Sequence, residues 1–212
     1  MTVAYILAGV TGALLIAFLI LEKRRAPRRV WVKGAASAAF IGTALAAGAT
    51  DSAYGAWVLA GLCLGALGDV LLELVGRIWF LAGLGAFLLA QLTYIGAFAT
   101  VEPHALVAVI VAAGLLVPAA VVTRWLWPHL AREMRGPVVA YIAVITAMVA
   151  AAAGAVAGEG PMAAAPAAVA FYVSDLFVAR DKFVARGCMN RLLGLPLYYG
   201  AQVVFALSVG WL

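Results

Sequence analysis

Long apolar stretches separated by short polar turns run along the whole chain, and there are eight of them. Each is close to the length of about 20 residues that an α-helix needs to cross the hydrocarbon core of a bilayer. The pattern therefore predicts an all-α fold, a polytopic membrane bundle of eight transmembrane helices that forms one integral membrane domain over residues 1–212. The predicted helices cover, to within a few residues, 3–21, 33–49, 54–75, 79–99, 105–125, 137–157, 162–180 and 192–211.

Composition agrees with a protein that lies mostly in lipid. Hydrophobic residues make up 67% of the chain and charged residues 11%, and the mean hydropathy of +1.11 excludes an ordinary soluble domain. The net charge of +5 does not point to nucleic acid, because the basic residues cluster in turns between apolar stretches. Two cysteines, Cys63 and Cys188, indicate no disulfide framework. No basic region precedes the first stretch, so we expect a retained helix and not a signal peptide.

The distribution of charge predicts the orientation of the bundle. Eight crossings place all 14 lysines and arginines on one side, including those of the basic turn 23–29. The turns on the other side contain Asp51, Glu102 and Glu159, and no lysine or arginine. Cytoplasmic turns are the ones that carry an excess of positive residues. We therefore predict a multi-pass protein with both termini on the non-cytoplasmic side, located in the cytoplasmic (inner) membrane if the source is bacterial.

Two aspartates, Asp69 and Asp175, lie inside predicted transmembrane helices. A charge at that depth costs roughly 2.5–3.5 kcal/mol on insertion scales, so a fold keeps it when the group is paired, protonated or beside a wet cavity. The two helices run in the same direction. Asp69 comes eight residues before Arg77, and Asp175 comes five before Arg180; these offsets are about 12 Å and about 8 Å along a helix. We therefore predict that both carboxyl groups face one cavity in the cytoplasmic half.

Other polar residues are expected near the aspartates. Glu73 follows Asp69 by four residues on the same helix face, although a position at the level of the lipid headgroups also explains it. Gln91 and Gln202 are candidates because a buried amide needs hydrogen-bond partners. Four tyrosines are candidates as well, with packing or interfacial roles as the alternative. They are Tyr94, Tyr172, Tyr198 and Tyr199.

No metal or cofactor is predicted. His104 and His129 lie near turns, and the sequence contains no cluster of histidines and cysteines with the spacing of metal ligands. The Gly-x-Ser-x-Gly pattern that marks many serine hydrolases is absent. The two aspartates therefore stay the leading candidates for any chemistry.

Short matches in a consistent order, from the second predicted helix to the C-terminus, carry a family resemblance. They are Lys33; Gly68-Asp69 within Gly61 to Leu72; Phe80, Gly83, Phe87 and Tyr94 to Phe98; Tyr141 and Met148; Ser174-Asp175 with Lys182-Phe183; and Tyr198, Tyr199 and Gln202. In these residues the chain resembles the YhhN family of membrane proteins, the lysoplasmalogenases. It departs from the family pattern at Gly34, where the family often has proline. It departs again at Gln91, where the family often has a histidine, and this change bears on substrate choice or proton handling.

The resemblance implies hydrolysis of the vinyl ether bond of lysoplasmalogens (lysoplasmenylcholine or lysoplasmenylethanolamine). The products would be a fatty aldehyde and glycerophosphocholine or glycerophosphoethanolamine. An acid must protonate the alkene carbon and a base must assist water, and Asp69 and Asp175 can divide that work as catalytic residues. The lipid chain would lie among apolar helices, and Lys33, Arg180 or Lys182 would meet the phosphate. The substrate-binding candidates are Lys33, Glu73, Gln91, Tyr94, Tyr172, Arg180, Lys182, Tyr198, Tyr199 and Gln202.

Three other classes of protein stay open. An intramembrane aspartyl protease also uses two membrane aspartates, but Gly68-Asp69 lacks the Gly-x-Gly-Asp form and Tyr172 is not adjacent to Asp175. A proton-coupled transporter would contain buried carboxyl groups, although no clear internal repeat is visible. A non-catalytic lipid-binding membrane protein is the third alternative. The expected partners are a lysophospholipid substrate and membrane lipids; the oligomeric state is left open.

Overall fold

The computed structural model describes residues 1–24 and 29–212. This part of the chain is all-α and contains eight α-helices, which is the number predicted. The predicted basic turn also includes Arg25 and Arg28, which lie outside the described residues. The helices are α1 Thr2–Lys23, α2 Arg29–Ala46, α3 Ala53–Glu73, α4 Arg77–Ala99, α5 Ala105–Leu126, α6 Arg132–Ala157, α7 Ala164–Ala179 and α8 Cys188–Ser208.

Six of the described helices are long and apolar enough to cross a membrane, namely α1, α3, α4, α5, α6 and α8. Helix α2 is shorter, with its apolar part at Val30–Ala46. Helix α7 has 16 residues and continues into a π-helical turn, Arg180–Val184, that carries three charged residues. The prediction of a multi-pass helical membrane protein is therefore confirmed, and two of its helices combine an apolar part with a charged end.

The predicted helix boundaries differ most at the starts of α2, α6 and α8, and α2 begins at Arg29 instead of 33. Helix α6 begins at Arg132, five residues before the predicted start at Pro137, and α8 begins at Cys188 instead of 192. Each helix therefore starts with a polar turn that the hydropathy pattern assigned to a loop. The reason is that hydropathy marks the part of a helix that lies in lipid, whereas backbone hydrogen bonds continue beyond it. Pro118 lies inside α5, which continues on both sides of it.

Seven of the helices form a closed ring of packed neighbours. Along the chain, α1 packs on α2, α2 on α3 and α3 on α4; α4 then packs on α6, α6 on α7, α7 on α8, and α8 on α1. Helix α8 also reaches α2 and α3. Helix α5 lies outside the ring and packs mainly on α6, so most of its apolar surface is exposed. In a membrane that surface would face lipid.

Aromatic side chains fill the interior between α4, α7 and α8. The ring of Tyr94 packs on Phe205 with centroids 4.6 Å apart, and Phe171 packs edge-on against Tyr198 at 5.4 Å. Phe87 contacts both Phe171 and Tyr198, at 6.4 Å and 5.7 Å. Edge-on and tilted pairs of this kind add to the stabilisation that burial alone provides. The interior is therefore well packed around the polar groups described below.

Ion pairs gather the basic helix ends at one end of the bundle. Arg191, at the start of α8, pairs with Glu22 at the end of α1. Arg77, at the start of α4, lies 3.9 Å from Glu133 in the first turn of α6. Arg191 also lies 3.9 Å from Asp181, and the adjacent Lys182 contacts the ring of Phe80 near the start of α4. Together these contacts bring the C-terminus of α1 to the same end as the N-termini of α4, α6 and α8. We call this the basic end; the opposite end contains Glu102 and Glu159, which line one cavity there.

Small residues allow α3 to approach its neighbours closely. A Cβ atom at Gly68 would lie 2.7 Å from Cε2 of Phe87 on α4, and one at Gly83 would lie 2.8 Å from Cδ2 of Leu72 on α3. Real carbon atoms do not come this close, so a larger residue would force the helices apart. This is the packing that small residues provide between transmembrane helices.

We predict that Gly68→Ala lowers the free energy of unfolding by about 1–3 kcal/mol, the usual cost of overpacking. The ring of Phe87 cannot retreat easily, because Phe171 and Tyr198 pack against it. Gly85→Ala on α4 is the matched control, since a Cβ there would meet nothing within 4 Å. Denaturant unfolding of the detergent-solubilised protein measures both. Equal effects of the two substitutions would contradict the close α3–α4 contact.

Candidate active site

Asp69 is buried near the C-terminus of α3, and side chains from α2 and α8 surround its carboxyl group. Its Oδ2 accepts hydrogen bonds from Ser37 Oγ at 2.8 Å and from Tyr198 Oη at 2.9 Å. Its Oδ1 lies 3.5 Å from the Nζ atom of Lys33. Only 3% of the Asp69 surface is exposed. Two hydroxyl donors and a cation therefore favour the ionised carboxylate at this position.

Lys33 connects this carboxylate to a second one. Its Nζ lies 3.1 Å from Oε1 of Glu73 and 3.3 Å from the backbone oxygen of Asp69. An ammonium group has three donors, and these contacts direct them to α3. Glu73 thus lies near Asp69, as its spacing on α3 predicted, whereas the contact of Lys33 with both carboxyl groups was not predicted. A small cavity of about 10 Å³ adjoins the three residues and is lined by Val30, Lys33, Gly34, Asp69, Val70 and Glu73.

A chain of hydrogen bonds extends from Asp69 into the bundle. Nε2 of Gln202 donates to Tyr198 Oη at 3.1 Å, and Tyr94 Oη donates to Oε1 of Gln202 at 2.7 Å. Because Tyr198 accepts from Gln202, its own proton points to Asp69. A Cβ at Gly65 would lie 2.5 Å from Nε2 of Gln202, so a larger residue would block this contact.

Tyr199 completes the cluster around Asp69. Its hydroxyl lies 3.1 Å from Ser37 Oγ and donates to the backbone oxygen of Lys33 at 3.3 Å. Six predicted site residues therefore join Asp69 in one group, which we call the Asp69 group together with Ser37. They are Lys33, Glu73, Tyr94, Tyr198, Tyr199 and Gln202.

Asp175, on α7, has a different environment. Its Oδ2 accepts a short hydrogen bond of 2.6 Å from Tyr141 Oη on α6, and Nε2 of Gln91 on α4 lies 3.5 Å away. No lysine or arginine forms an ion pair with it in the described residues. The carboxyl group is only partly buried. Gln91 is fully buried, and its Oε1 has no hydrogen-bond partner in the described part of the chain. Asp175, Tyr141 and Gln91 form the Asp175 group.

Aromatic rings connect the two groups. Phe87 precedes Gln91 by one turn of α4, and Phe171 precedes Asp175 by one turn of α7. Both rings pack against Tyr198, the donor to Asp69. The two carboxyl groups nevertheless have different partners, and Asp175 does not line the cavity beside Asp69. That both face one cavity stays a prediction.

Three predicted residues lie outside both groups. Tyr172 is half-buried on α7, and its hydroxyl has no hydrogen-bond partner in the described residues. Arg180 and Lys182 are exposed at the basic end. Arg180 donates to Oδ1 of Asn190 at 2.6 Å, and Lys182 Nζ lies 4.2 Å from the centroid of the Phe80 ring. The described residues contain no group of three or more histidines, cysteines, aspartates or glutamates that could hold a metal.

Ser37 and Tyr141 contact the aspartates but were not among the predicted site residues. Ser37 follows Lys33 by four residues, so the two share a face of α2. This spacing could have identified Ser37 as a candidate site residue. Tyr141 lies within an apolar stretch of α6 and was noted only for the family resemblance. Nothing in its spacing points to α7, because the contact depends on how two helices are rotated against each other.

The fold and these contacts define the class of protein, a polytopic helical membrane protein with carboxyl groups of two kinds in its interior. A family model matches residues 4–209, and the chain belongs to the YhhN family. Two proteins named lysoplasmalogenase, from Mycobacterium bovis and Mycobacterium tuberculosis, are each 36% identical to it over 155 residues, 68% of this chain and 55% of theirs. The chain thus spans about half the length of these relatives. No solved structure matches it.

We predict that Lys33→Met destabilises the fold by about 3–5 kcal/mol, because it leaves a buried carboxylate without its cation. Arg77→Met is the control: its partner Glu133 lies 3.9 Å away and both side chains are more than half exposed. Such surface pairs contribute about 0–1 kcal/mol. Unfolding midpoints in detergent measure both variants, and a Lys33 variant as stable as the Arg77 variant would contradict the role given to Lys33.

Proposed function

We propose that this protein is a membrane hydrolase that cleaves the vinyl ether bond of lysoplasmalogens. The products would be a fatty aldehyde and glycerophosphocholine or glycerophosphoethanolamine. The observation that carries the proposal is the presence of two interior carboxyl groups with unlike partners, one beside a lysine and one beside neutral donors. Family membership and the names of the two mycobacterial relatives support the choice of substrate.

The reaction needs an acid and a base. Transfer of a proton to the β-carbon of the vinyl ether produces an oxocarbenium ion. Water adds to the cationic carbon and loses a proton to the base. The resulting hemiacetal breaks its bond to the glycerol oxygen, which takes up a proton, and aldehyde is released. Glycosidases pass through a similar oxocarbenium-like transition state and also use two carboxyl groups.

The surroundings of the two carboxyl groups favour a division of these roles. Lys33 and two hydroxyl donors stabilise ionised Asp69, so Asp69 suits the base. Asp175 has neutral donors only among its described hydrogen-bond partners. A charge without a cation in the interior of a membrane bundle is costly, so Asp175 holds a proton more readily and suits the acid. Proton transfer by positioned groups of this kind typically contributes a factor of about 10²–10⁴ to the rate.

The substrate is an amphiphile with one hydrocarbon chain. The hydrocarbon chain would lie along the apolar surfaces of the helices, and the phosphate would lie at the basic end. Arg180 and Lys182 are exposed there, whereas the ammonium group of Lys33 is directed to carboxylates. We therefore favour Arg180 and Lys182 as phosphate contacts. The remaining substrate-binding candidates would line the path of the glycerol and vinyl ether; they are Lys33, Glu73, Gln91, Tyr94, Tyr172, Tyr198, Tyr199 and Gln202.

We further propose that the basic end faces the cytoplasm and both termini face the opposite side. In a variant without Cys63 and Cys188, single cysteines replace the exposed residues Arg24, Arg132 and Glu102. We expect a membrane-impermeant thiol reagent to label the first two from the cytoplasmic side and the third from the other side, because cytoplasmic segments carry the positive residues. Labelling of the positions 24 and 132 from opposite sides would rule out this orientation.

The proposed chemistry predicts that Asp69→Asn and Asp175→Asn each remove most aldehyde release, by a factor of about 10² or more. Asparagine has nearly the same shape but neither donates a carboxylic proton nor accepts one. If the two residues act as a unit, the double variant is hardly slower than either single one. Aldehyde release from lysoplasmenylethanolamine by purified protein measures the rates.

Two glutamates provide the comparison. Glu133→Gln changes a mostly exposed side chain at the basic end and should leave the rate unchanged. Glu73→Gln should lower the rate but keep measurable turnover, because Glu73 contacts Lys33 and not the Asp69 carboxylate. Active aspartate variants together with an inactive Glu73→Gln variant would transfer the acid role to Glu73. Cleavage of a peptide, or proton-coupled flux without aldehyde, would instead support one of the alternative classes.

A further inference from the structure

The carboxyl group of Asp175 depends on one strong contact. The hydroxyl of Tyr141 donates to Oδ2 at 2.6 Å, which is the short range typical of an O–H donor and a carboxyl oxygen. Gln91 reaches the same oxygen at 3.5 Å, the limit of a hydrogen bond. Tyr141 is buried in the middle of α6, so its ring has little freedom to move.

We propose that Tyr141 is a positioning residue for the acid Asp175, an inference that rests on the proposed function. The hydroxyl holds Oδ2 as an acceptor and so places the transferable proton of the acid on Oδ1. In a carboxylic acid the carbonyl oxygen is the better acceptor, whereas the protonated oxygen acts as the donor. An acid proton on Oδ1 points away from Tyr141 and is available for transfer to the alkene carbon.

The equivalent contact at Asp69 is less critical. Tyr198 donates to Asp69 at 2.9 Å, but Ser37 donates to the same oxygen and Lys33 faces the other one. Loss of the Tyr198 hydroxyl would therefore leave the carboxylate with two strong partners. Loss of the Tyr141 hydroxyl would leave Asp175 with the long contact from Gln91 and with the neighbouring Ser174, whose hydroxyl proton is directed to the backbone oxygen of Phe171. The geometry thus assigns orientation of the acid mainly to Tyr141.

The test is Tyr141→Phe, which removes one oxygen atom and keeps the ring. We expect kcat for aldehyde release from lysoplasmenylethanolamine to fall by about tenfold to a hundredfold, the value of one hydrogen bond to a charged or acidic group. KM should stay within about a factor of two, because this contact orients the acid and does not bind the lipid. In the Asp175→Asn background, the same substitution should cause no further loss.

Tyr54→Phe is the matched control. Tyr54 is a buried tyrosine whose hydroxyl lies 2.8 Å from Ser208 Oγ, far along the bundle from the basic end, and it touches neither aspartate. It should keep the wild-type kcat. If Tyr141→Phe does not fold, Tyr141→Leu takes its place, since it also removes the hydroxyl donor. A folded Tyr141→Leu variant should lose activity with Asp175 present, and the same substitution should cause no further loss in the Asp175→Asn background.

The outcomes separate this inference from the proposed function. A wild-type protein that releases no aldehyde overturns both. A wild-type protein that releases aldehyde, with an unchanged kcat in Tyr141→Phe, overturns the positioning role alone. The positioning role is also overturned if Tyr141→Phe lowers kcat by the same factor in the Asp175→Asn background, because the effect would then not depend on Asp175. A change in KM instead of kcat overturns it as well, because the contact would then bind the lipid.

Discussion

A buried carboxylate in the membrane-spanning part of a protein finds no bulk water, so the fold itself must provide its partners. At Asp69 those partners are Lys33 and Ser37 from α2 and Tyr198 from α8. The group is satisfied only when α2, α3 and α8 pack around it in one register. A single acidic side chain therefore defines a three-helix arrangement that apolar packing alone leaves undefined.

The same arrangement explains why α3 has small residues on this face. Gly65 lies opposite the amide of Gln202, and Gly68 lies opposite the ring of Phe87. One glycine gives room to the hydrogen-bond chain behind Tyr198, and the other gives room to the aromatic contact between the two groups. The hydrogen bonds around Asp69 and the packing of the aromatic rings thus depend on the same close approach of the helices. A side chain added at either position would disturb the environment of Asp69 without touching its carboxylate.

Some of this was accessible from the sequence. Apolar stretches predicted eight helices, and the rise of a helix placed Asp69 and Asp175 at similar depth, with Glu73 one turn after Asp69. Depth follows from counting residues, but the rotation of a helix about its axis depends on how its neighbours pack. For this reason the sequence did not predict that Tyr141 contacts Asp175. It also did not predict that the two aspartates have different partners. The contact of Arg180 with Asn190 on α8 was not predicted for the same reason.

The contrast between the two carboxyl groups is the strongest argument that the site does more than hold helices together. In the Asp69 group a lysine and two hydroxyl groups compensate the carboxylate, and a purely structural role would require no more than this. Asp175 lacks a cation among its described partners, and a hydrogen bond worth about 1.5–3 kcal/mol is comparable with the roughly 2.5–3.5 kcal/mol that an ionised aspartate costs at membrane depth. The charge at Asp175 is therefore barely compensated. Such a carboxyl group changes its protonation state at little cost, which is what proton transfer requires and what a purely structural residue has no need of.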